Sequence, residues 1–442
     1  MEHLYAGAAA WDMTPPQGVT LAGYPHFDRP NTGAHDPLMA TCIYLRRGET
    51  ELALVTLDIL YFSKQYTRAV RARVEEACGM KGAGILCCCS HTHSGPWAAG
   101  NPEMDAQCGK AGDQDPEYVA ALLDGITELI LRARKEAFPA EVGVTAIRCG
   151  AEKGIGGNRR SPDGICDPML GVLAVRDGSG VIRGILTTYA LHPTFLHEDS
   201  TLVSADYPAY LRIAICEKNP EAVVGFAQGC SGDQSSRYFR TGQSFDEAER
   251  VGRTMAGSAL EALEKMSFDG APELGYASEE TPLRIRSYPP SSEVRKEVEK
   301  FTREYNEYKA AGASYLDVQN ANLRMLGAED RLGYALCLEE GRPIALRDDE
   351  NPAEVMVIRI GKWCVAGIPG EVFVEYGLRI KAGIEAETTL VFELSNGCLP
   401  GYCINAEAFY EGGYEAGNSM LELNFGNVLG DMAIGLAGGL KK

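Results

Sequence analysis

The chain has 442 residues and a formal net charge of −19, with 45% hydrophobic and 23% charged residues. That is globular composition, long enough for one big domain or two ordinary ones, and too acidic for ready binding to nucleic acid or anionic membrane surfaces. No run of 18 apolar residues reads as a membrane span, and the start "MEHLYAGAAAWDMTPP" lacks the basic region and apolar core of a signal peptide. The 14 cysteines form no C-x-x-C pair and include three consecutive ones, Cys87 to Cys89. This is a pattern of reduced thiols, and the expected location is the cytoplasm.

The first 35 residues are rich in turn formers and read as loop. "MATCIYLRRG" and "TELALVTLDIL" then predict two strands with a turn between them. "SKQYTRAVRARVEEAC" predicts a helix with a serine at its start, and "GAGILCCCS" a buried strand bounded by glycine. "DPEYVAALLDGITELILRARKEA" has the apolar spacing of an amphipathic helix. Strands follow at "AEVGVTAIRC", "LGVLAVRD" and "VIRGILTTYAL", then a helix at "ADYPAYLRIAICEK", a strand at "AVVGFAQG" and a helix at "FDEAERVGRTMAGSALEALEKM".

Beyond this, "APELGYASEETPLRIRSYP" is strand-like and "SSEVRKEVEKFTREYNEYKAAG" is a charged helix. A lobe, inserted or flanking, is expected at about 271–350. "AEVMVIRIGKWCVAGIPG" reads as a hairpin, "EVFVEYGLRIKAGI" as a helix and "TTLVFELSN" as a strand, with a glycine-rich apolar helix at the end. No internal repeat is visible. The alternation predicts an α/β protein, a layered mixed sheet flanked by helices in one large domain.

Four of the seven histidines, His91, His93, His192 and His197, lie just past two apolar strands. On an extended segment His91 and His93 face the same side. They read either as strand caps or as metal ligands, and the second cluster favours a metal, with zinc the natural partner of imidazole and carboxylate. Asp206, Asp233 and Glu371 are the nearby acids. Glu371 also reads as a first-turn acid favoured by a helix dipole. Ser231 in "GCSGD" departs from the G-x-S-x-G elbow and offers a weak serine-hydrolase reading. Arg159 and Arg160 read either as an anion- or carbonyl-binding pair or as a solvated one.

Seven motifs in order then resemble the neutral (non-lysosomal) ceramidases, in their N-terminal catalytic domain. They are "SHTHSGP" at 90–96, "GGNRRSP" at 156–162, "ALHPT" at 190–194, "LVSADYPAY" at 202–210, "FAQGCSGDQS" at 226–235, "GIPGEVF" at 367–373 and "LSNGCLPGYCINAEAFYEGGYE" at 394–415. The resemblance implies a hydrolase of amide (N-acyl) bonds with one Zn2+ held by His91, His192, Glu371 and Tyr402. It implies that a metal-bound hydroxide attacks the carbonyl, that His93 moves protons, and that Arg159 and Tyr414 hold the carbonyl oxygen. Tyr410 stays open against Tyr402, and Arg160 against Arg159.

The family's members carry an additional C-terminal β-sandwich domain, for which this chain leaves no room, and are mostly secreted or membrane-associated. The expected partner is a lipid or small-molecule amide, with no nucleic acid and no transmembrane segment. Two alternatives are a zinc hydrolase of a small soluble ester, lactone or acyl-amino compound, and a non-catalytic binding protein with the same fold.

Overall fold

The protein is described from a computed structural model, covering residues 2–24, 27–99, 114–342, 344 and 349–440. Twelve strands carry it. They are β1 (Tyr5–Asp12), β2 (Met39–Arg47), β3 (Thr50–Leu57), β4 (Ile85–Cys89), β5 (Phe138–Arg148), β6 (Met169–Asp177), β7 (Ile182–Tyr189), β8 (Val223–Gln228), β9 (Leu274–Thr281), β10 (Ala353–Ile360), β11 (Trp363–Gly367) and β12 (Thr388–Phe392). β1 to β8 form one mixed sheet in the order β8-β7-β6-β5-β1-β2-β3-β4, and β9 to β12 form a second in chain order.

The large sheet narrows to two residue pairs where β1 meets β5, Tyr5↔Pro139 and Ala6↔Phe138. It is thus two four-stranded halves. Each half, and the second sheet, repeats one pattern: an antiparallel pair, a second antiparallel pair, then a parallel pair. In each group a helix makes the crossover to the parallel strand, as such a connection requires. These helices are α1 (Lys64–Cys78), α3 (Tyr207–Lys218) and α7 (Val374–Gly383). A second helix packs beside each: α2 (Pro116–Lys135), α4 (Phe245–Glu264) and α8 (Phe425–Gly439). The chain therefore has a threefold architectural repeat where its sequence reads as having none. What recurs is the alternation of buried faces, not residue identity.

That alternation is plain in the cysteine run. Cys87 and Cys89 join the core under α1 and α2, while Cys88 joins the inner core shared by all three strand groups. The same split places Cys42 and Tyr44 outward and Ile43 and Leu45 inward. Both faces are covered, so the strands read as continuous apolar runs. All described cysteines are free, and the consecutive three are fully buried packing residues.

Two elements escape the sequence reading. β1 lies in the segment expected to be loop. Its "YAGAAAWD" is poor in β-formers, but it pairs with β2 along its whole length, and a Cβ on Gly7 would sit 1.8 Å from the Ala133 carbonyl oxygen of α2. Small residues are needed there because a helix crosses closely. A helix over Tyr315–Glu339 (α6) pairs with the expected charged helix over Ser291–Ala310 (α5). Its signal was a Ser-x-x-Asp cap, in which Ser314 Oγ accepts from the Asp317 N–H. β9 and β10 are antiparallel neighbours, so the α5–α6 hairpin leaves and re-enters the second sheet between adjacent strands.

The two halves of the large sheet also pack closely at Gly225 of β8, where a Cβ would lie 2.2 Å from Thr41 Oγ1 and 2.5 Å from Thr56 Oγ1. Gly225→Ala is expected to cost about 1–3 kcal/mol, read as a lower urea midpoint. Gly257→Ala, on the exposed face of α4 with open space around its Cβ, is expected to stabilise by up to about 1 kcal/mol and so to raise the midpoint. Equal midpoints would contradict this packing.

Candidate metal centre

The parallel pair of each strand group ends at the same place. Loops leaving β4, β7 and β11 carry His91, His192 and Glu371, so each group delivers one residue. The ends are hydrogen-bonded to one another: Cys89 N donates to Leu394 O at 3.3 Å, and Glu393 N donates to Gln228 O at 2.8 Å. α/β sheets commonly place sites at such carboxyl ends.

β4 stops at Cys89, so the extended H-x-H segment expected from sequence is not what aligns the histidines. His91 has φ 67°, a left-handed conformation that costs a non-glycine residue roughly 1–3 kcal/mol. Its N–H donates to Ile59 O at 3.0 Å, which holds the turn. The turn brings the His91 and His93 rings edge to face, with centroids 5.0 Å apart.

His91 Nδ1 lies 3.2 Å from Leu60 O, and His192 Nδ1 lies 2.9 Å from Ser231 O and 3.1 Å from Gln234 O. Carbonyl oxygens only accept, so both Nδ1 atoms carry the hydrogen and both Nε2 atoms present lone pairs. Those Nε2 atoms are 3.2 Å apart, and each faces Glu371 Oε2, at 3.3 Å from His91 and 3.1 Å from His192. Three buried acceptors in a triangle repel one another unless a proton or cation joins them. A triangle of this size has its corners roughly 1.9 Å from its centre, close to the about 2.0–2.1 Å reach of zinc to nitrogen and carboxylate oxygen. The donor set and its backbone-anchored far nitrogens fit a zinc ion.

Burial opposes ionisation of Glu371, but a proton on His91 or His192, donated to it from Nε2, outweighs that and holds its carboxyl well below the usual carboxylate range. Burial, reinforced by the Arg159 charge, lowers His192 to about 4. The other Glu371 oxygen accepts from the Tyr61 hydroxyl. Glu371 is not a first-turn acid: it lies in a short parallel bridge, Glu371–Val372 with Tyr402–Cys403, ahead of α7. That register places Tyr402 beside Glu371. Tyr402 is buried under the Arg159 guanidinium, 5.2 Å from its ring centre, whereas Tyr410 is 81% exposed.

His93 stands next to the triangle. One ring nitrogen from each of His91, His93 and His192 lies within 4.8 Å of the others, and among the described residues neither nitrogen of His93 has a hydrogen-bond partner. Burial, then the neighbouring imidazoles, push its pKa well down. Gly23 makes room for the ring, since a Cβ there would meet it at 2.6 Å. His197 is not part of the group: its Nδ1 faces Glu198 at 3.1 Å near the surface.

The remaining candidates separate clearly. Arg159 Nε donates to Glu415 Oε1 and Nη2 to Gly232 O, both at 2.8 Å. Arg160 binds Glu415 Oε2 and Glu411 Oε2, both at 2.9 Å. The Tyr414 hydroxyl accepts from Asn418 Nδ2 at 3.4 Å, and its ring lies 5.9 Å from that of Tyr402. Asp206 and Asp233 are loop ties. Asp206 accepts from the N–H groups of Phe195, Leu196 and Tyr207, and Asp233 accepts from Val374 N and Asn158 Nδ2.

Ser231 is no nucleophile. Its hydroxyl donates to Glu393 Oε1 at 2.6 Å and accepts from Gln228 Nε2 at 2.7 Å, while His192 binds only its carbonyl. Sequence reasoning missed Tyr61, Glu393 and Arg29. The buried Arg29 donates to the carbonyls of Ala22, His93 and Ser200 and fixes the H-T-H loop. None of the three sits in a motif with a recognisable spacing.

His93, Arg159, His192, Tyr402 and Tyr414 line one cavity of about 190 Å3, together with Arg237, Arg240 and the α6 residues Tyr315, Leu316 and Leu323. The hairpin between β9 and β10 therefore supplies one wall.

The family model for neutral/alkaline non-lysosomal ceramidase, N-terminal, matches residues 4–251. The chain belongs to that family. It is 21% identical to the neutral ceramidase of Pseudomonas aeruginosa over 471 aligned residues, covering 95% of this chain and 70% of the relative. The crystal structure of neutral ceramidase from Pseudomonas aeruginosa superposes with a TM-score of 0.74 at 18% identity, covering all of this chain and 76% of that one. A structure described as ceramidase complexed with C2 gives 0.74 at 17% identity, covering 100% and 75%. The expected α/β fold, a large mixed sheet flanked by helices, is the fold of these structures. No helix among the described residues is long and apolar enough to cross a membrane.

Ser231→Ala is expected to act on stability, because it leaves the buried Glu393 carboxyl short of a donor. The cost is about 1–3 kcal/mol, measured by chemical denaturation, with kcat of the folded protein largely retained. Complete loss of turnover in a protein of unchanged stability would contradict this assignment.

Proposed function

We propose that this ceramidase-family protein hydrolyses an N-acyl amide bond with one zinc ion held by His91, His192, Glu371 and Tyr402. The observation that carries the reading is the triangle of His91 Nε2, His192 Nε2 and Glu371 Oε2, whose histidines are both anchored through Nδ1. Zinc bound there lowers the pKa of a water towards neutrality and polarises a carbonyl.

The chain's own residues do the rest. Tyr61 and the bridge to Tyr402 hold Glu371 in place. Burial and the neighbouring Glu371 hold the Tyr402 phenol well above its ordinary pKa, and Arg159, packed on its ring, offsets part of that in favour of the ionised oxygen that a metal needs. Tyr414 has its own hydroxyl hydrogen free for the carbonyl oxygen of the substrate, since among the described residues its hydroxyl bonds only to Asn418, from which it accepts. His93, with both nitrogens unengaged, holds or returns the proton at the leaving nitrogen.

The cavity of about 190 Å3 is below the roughly 300 Å3 at which sites for drug-sized ligands begin. A long acyl chain must leave through the mouth. There Phe27 and Tyr315 are 49% and 57% exposed, an amphipathic rim that suits an amide with an apolar tail.

Purified protein is expected to carry roughly one zinc per chain by elemental analysis, lost in a folded His91→Ala/His192→Ala variant. A metal-free protein that hydrolyses N-acyl sphingosines or soluble amides at full rate would sink the reading. Tyr402→Phe is expected to lower kcat/KM by roughly a hundredfold or more. Tyr410→Phe, at an exposed side chain, should leave kcat/KM within about twofold. The reverse order would exchange the two tyrosines.

A further inference from the structure

Three arginines line the substrate cavity, Arg159, Arg237 and Arg240, in a chain of net charge −19. They are not equivalent. Arg159 is satisfied by Glu415, which it shares with Arg160. Arg237 and Arg240 are only partly exposed, and the protein gives them only neutral partners. Arg237 Nη1 donates to Arg159 O at 3.3 Å and to Asn320 Oδ1 at 3.4 Å, both long. Arg240 Nη1 donates to Thr194 O at 3.2 Å and Nη2 to Gln243 Oε1 at 2.6 Å. Among the described residues neither has a carboxylate partner. The two cavity glutamates are already engaged, Glu415 by Arg159 and Arg160 and Glu198 by His197.

A partly desolvated guanidinium without a counter-ion is costly, and its planar fork is built to take an oxyanion. Thr194 ties Arg240 to the loop that delivers His192, and Arg237 reaches the backbone of Arg159. Both cations are thus fixed to the two loops that frame the proposed reaction centre.

We infer that the substrate is an amide carrying a compact anionic group, a carboxylate or a phosphate monoester, seated between Arg237 and Arg240. This rests on the amide-hydrolase reading above and narrows its substrate class. The neutral amine portion of a simple N-acyl sphingosine leaves both arginines unpaired, whereas an N-acyl amino acid or a phosphorylated N-acyl amino alcohol pairs them.

The test compares N-octanoylglycine, N-octanoyl-O-phosphoethanolamine and the neutral N-octanoylethanolamine on the zinc-loaded protein. At least one anionic amide is expected to exceed the neutral one in kcat/KM by roughly ten- to a hundredfold, as charge-assisted hydrogen bonds imply. Arg237→Gln/Arg240→Gln should bring the ratio to within about threefold and weaken its salt dependence, and Arg237→Lys/Arg240→Lys should keep part of it. Preference for glycine alone identifies the carboxylate, and preference for the phosphate alone identifies the monoester. The inference is overturned if the neutral amide is fastest in the wild type, or if the anionic preference survives in the Gln variant.

Calorimetric titration with N-octanoylglycine and N-octanoyl-O-phosphoethanolamine separates the two readings. If no amide is hydrolysed yet one of these binds, and the Gln variant abolishes binding, the anion site stands and the hydrolase reading falls. If the neutral amide is hydrolysed and neither anion binds, the hydrolase reading stands and the anion site falls.

Discussion

The Glu393 side chain is fully buried at the point where the three strand groups meet, and the loops around it are fixed to one another through it. One residue past β12, it bonds Gln228 of β8 through its N–H and takes the Cys88 thiol of β4 on its carbonyl at 3.2 Å. Its carboxyl oxygens take Ser231 Oγ and the N–H of Val372, at 2.6 and 2.8 Å. Burial drives its pKa well up. Such a group is tolerated only when its hydrogen bonds are complete. Ser231 in turn holds His192 through its carbonyl, and Val372 is the neighbour of Glu371. Two of the three corners of the proposed metal triangle are thus set by one acid that never faces the cavity.

Much of the scaffold was legible because its strands are buried on both faces and bounded by glycine or polar residues. The cysteine run is one example: three small apolar side chains alternate between two cores. The histidines were legible because they are few and stand at strand ends. What could not be read is what depends on residues far apart in sequence. β1 is a strand because β2 pairs with it and α2 crosses it, not because of its alanines. His91 reaches the site by a left-handed turn that histidine disfavours, and no local pattern announces it. Tyr61, Arg29 and Glu393 act on residues tens to hundreds of positions away.

The threefold pattern of the strand groups was hidden for a related reason. An antiparallel hairpin, a crossover helix and a parallel strand require only buried faces at the right period. Valine, isoleucine, leucine, alanine and cysteine serve interchangeably there. The α5–α6 hairpin breaks the pattern, entering between β9 and β10 of the third group alone. Its residues form a wall of the cavity, so the one departure from symmetry is where the molecule shapes access to its site.

His91, His192 and Glu371 come from three different strand groups, and no group holds two of them. A single strand group therefore holds only one corner of the triangle. A cation that binds there recognises only the assembled molecule, so its binding free energy becomes coupling between the groups. The joint at Tyr5 and Ala6, only two residue pairs wide, then has a remote clamp. Detaching one group opens the triangle, and ion release and loss of tertiary assembly become a single cooperative event.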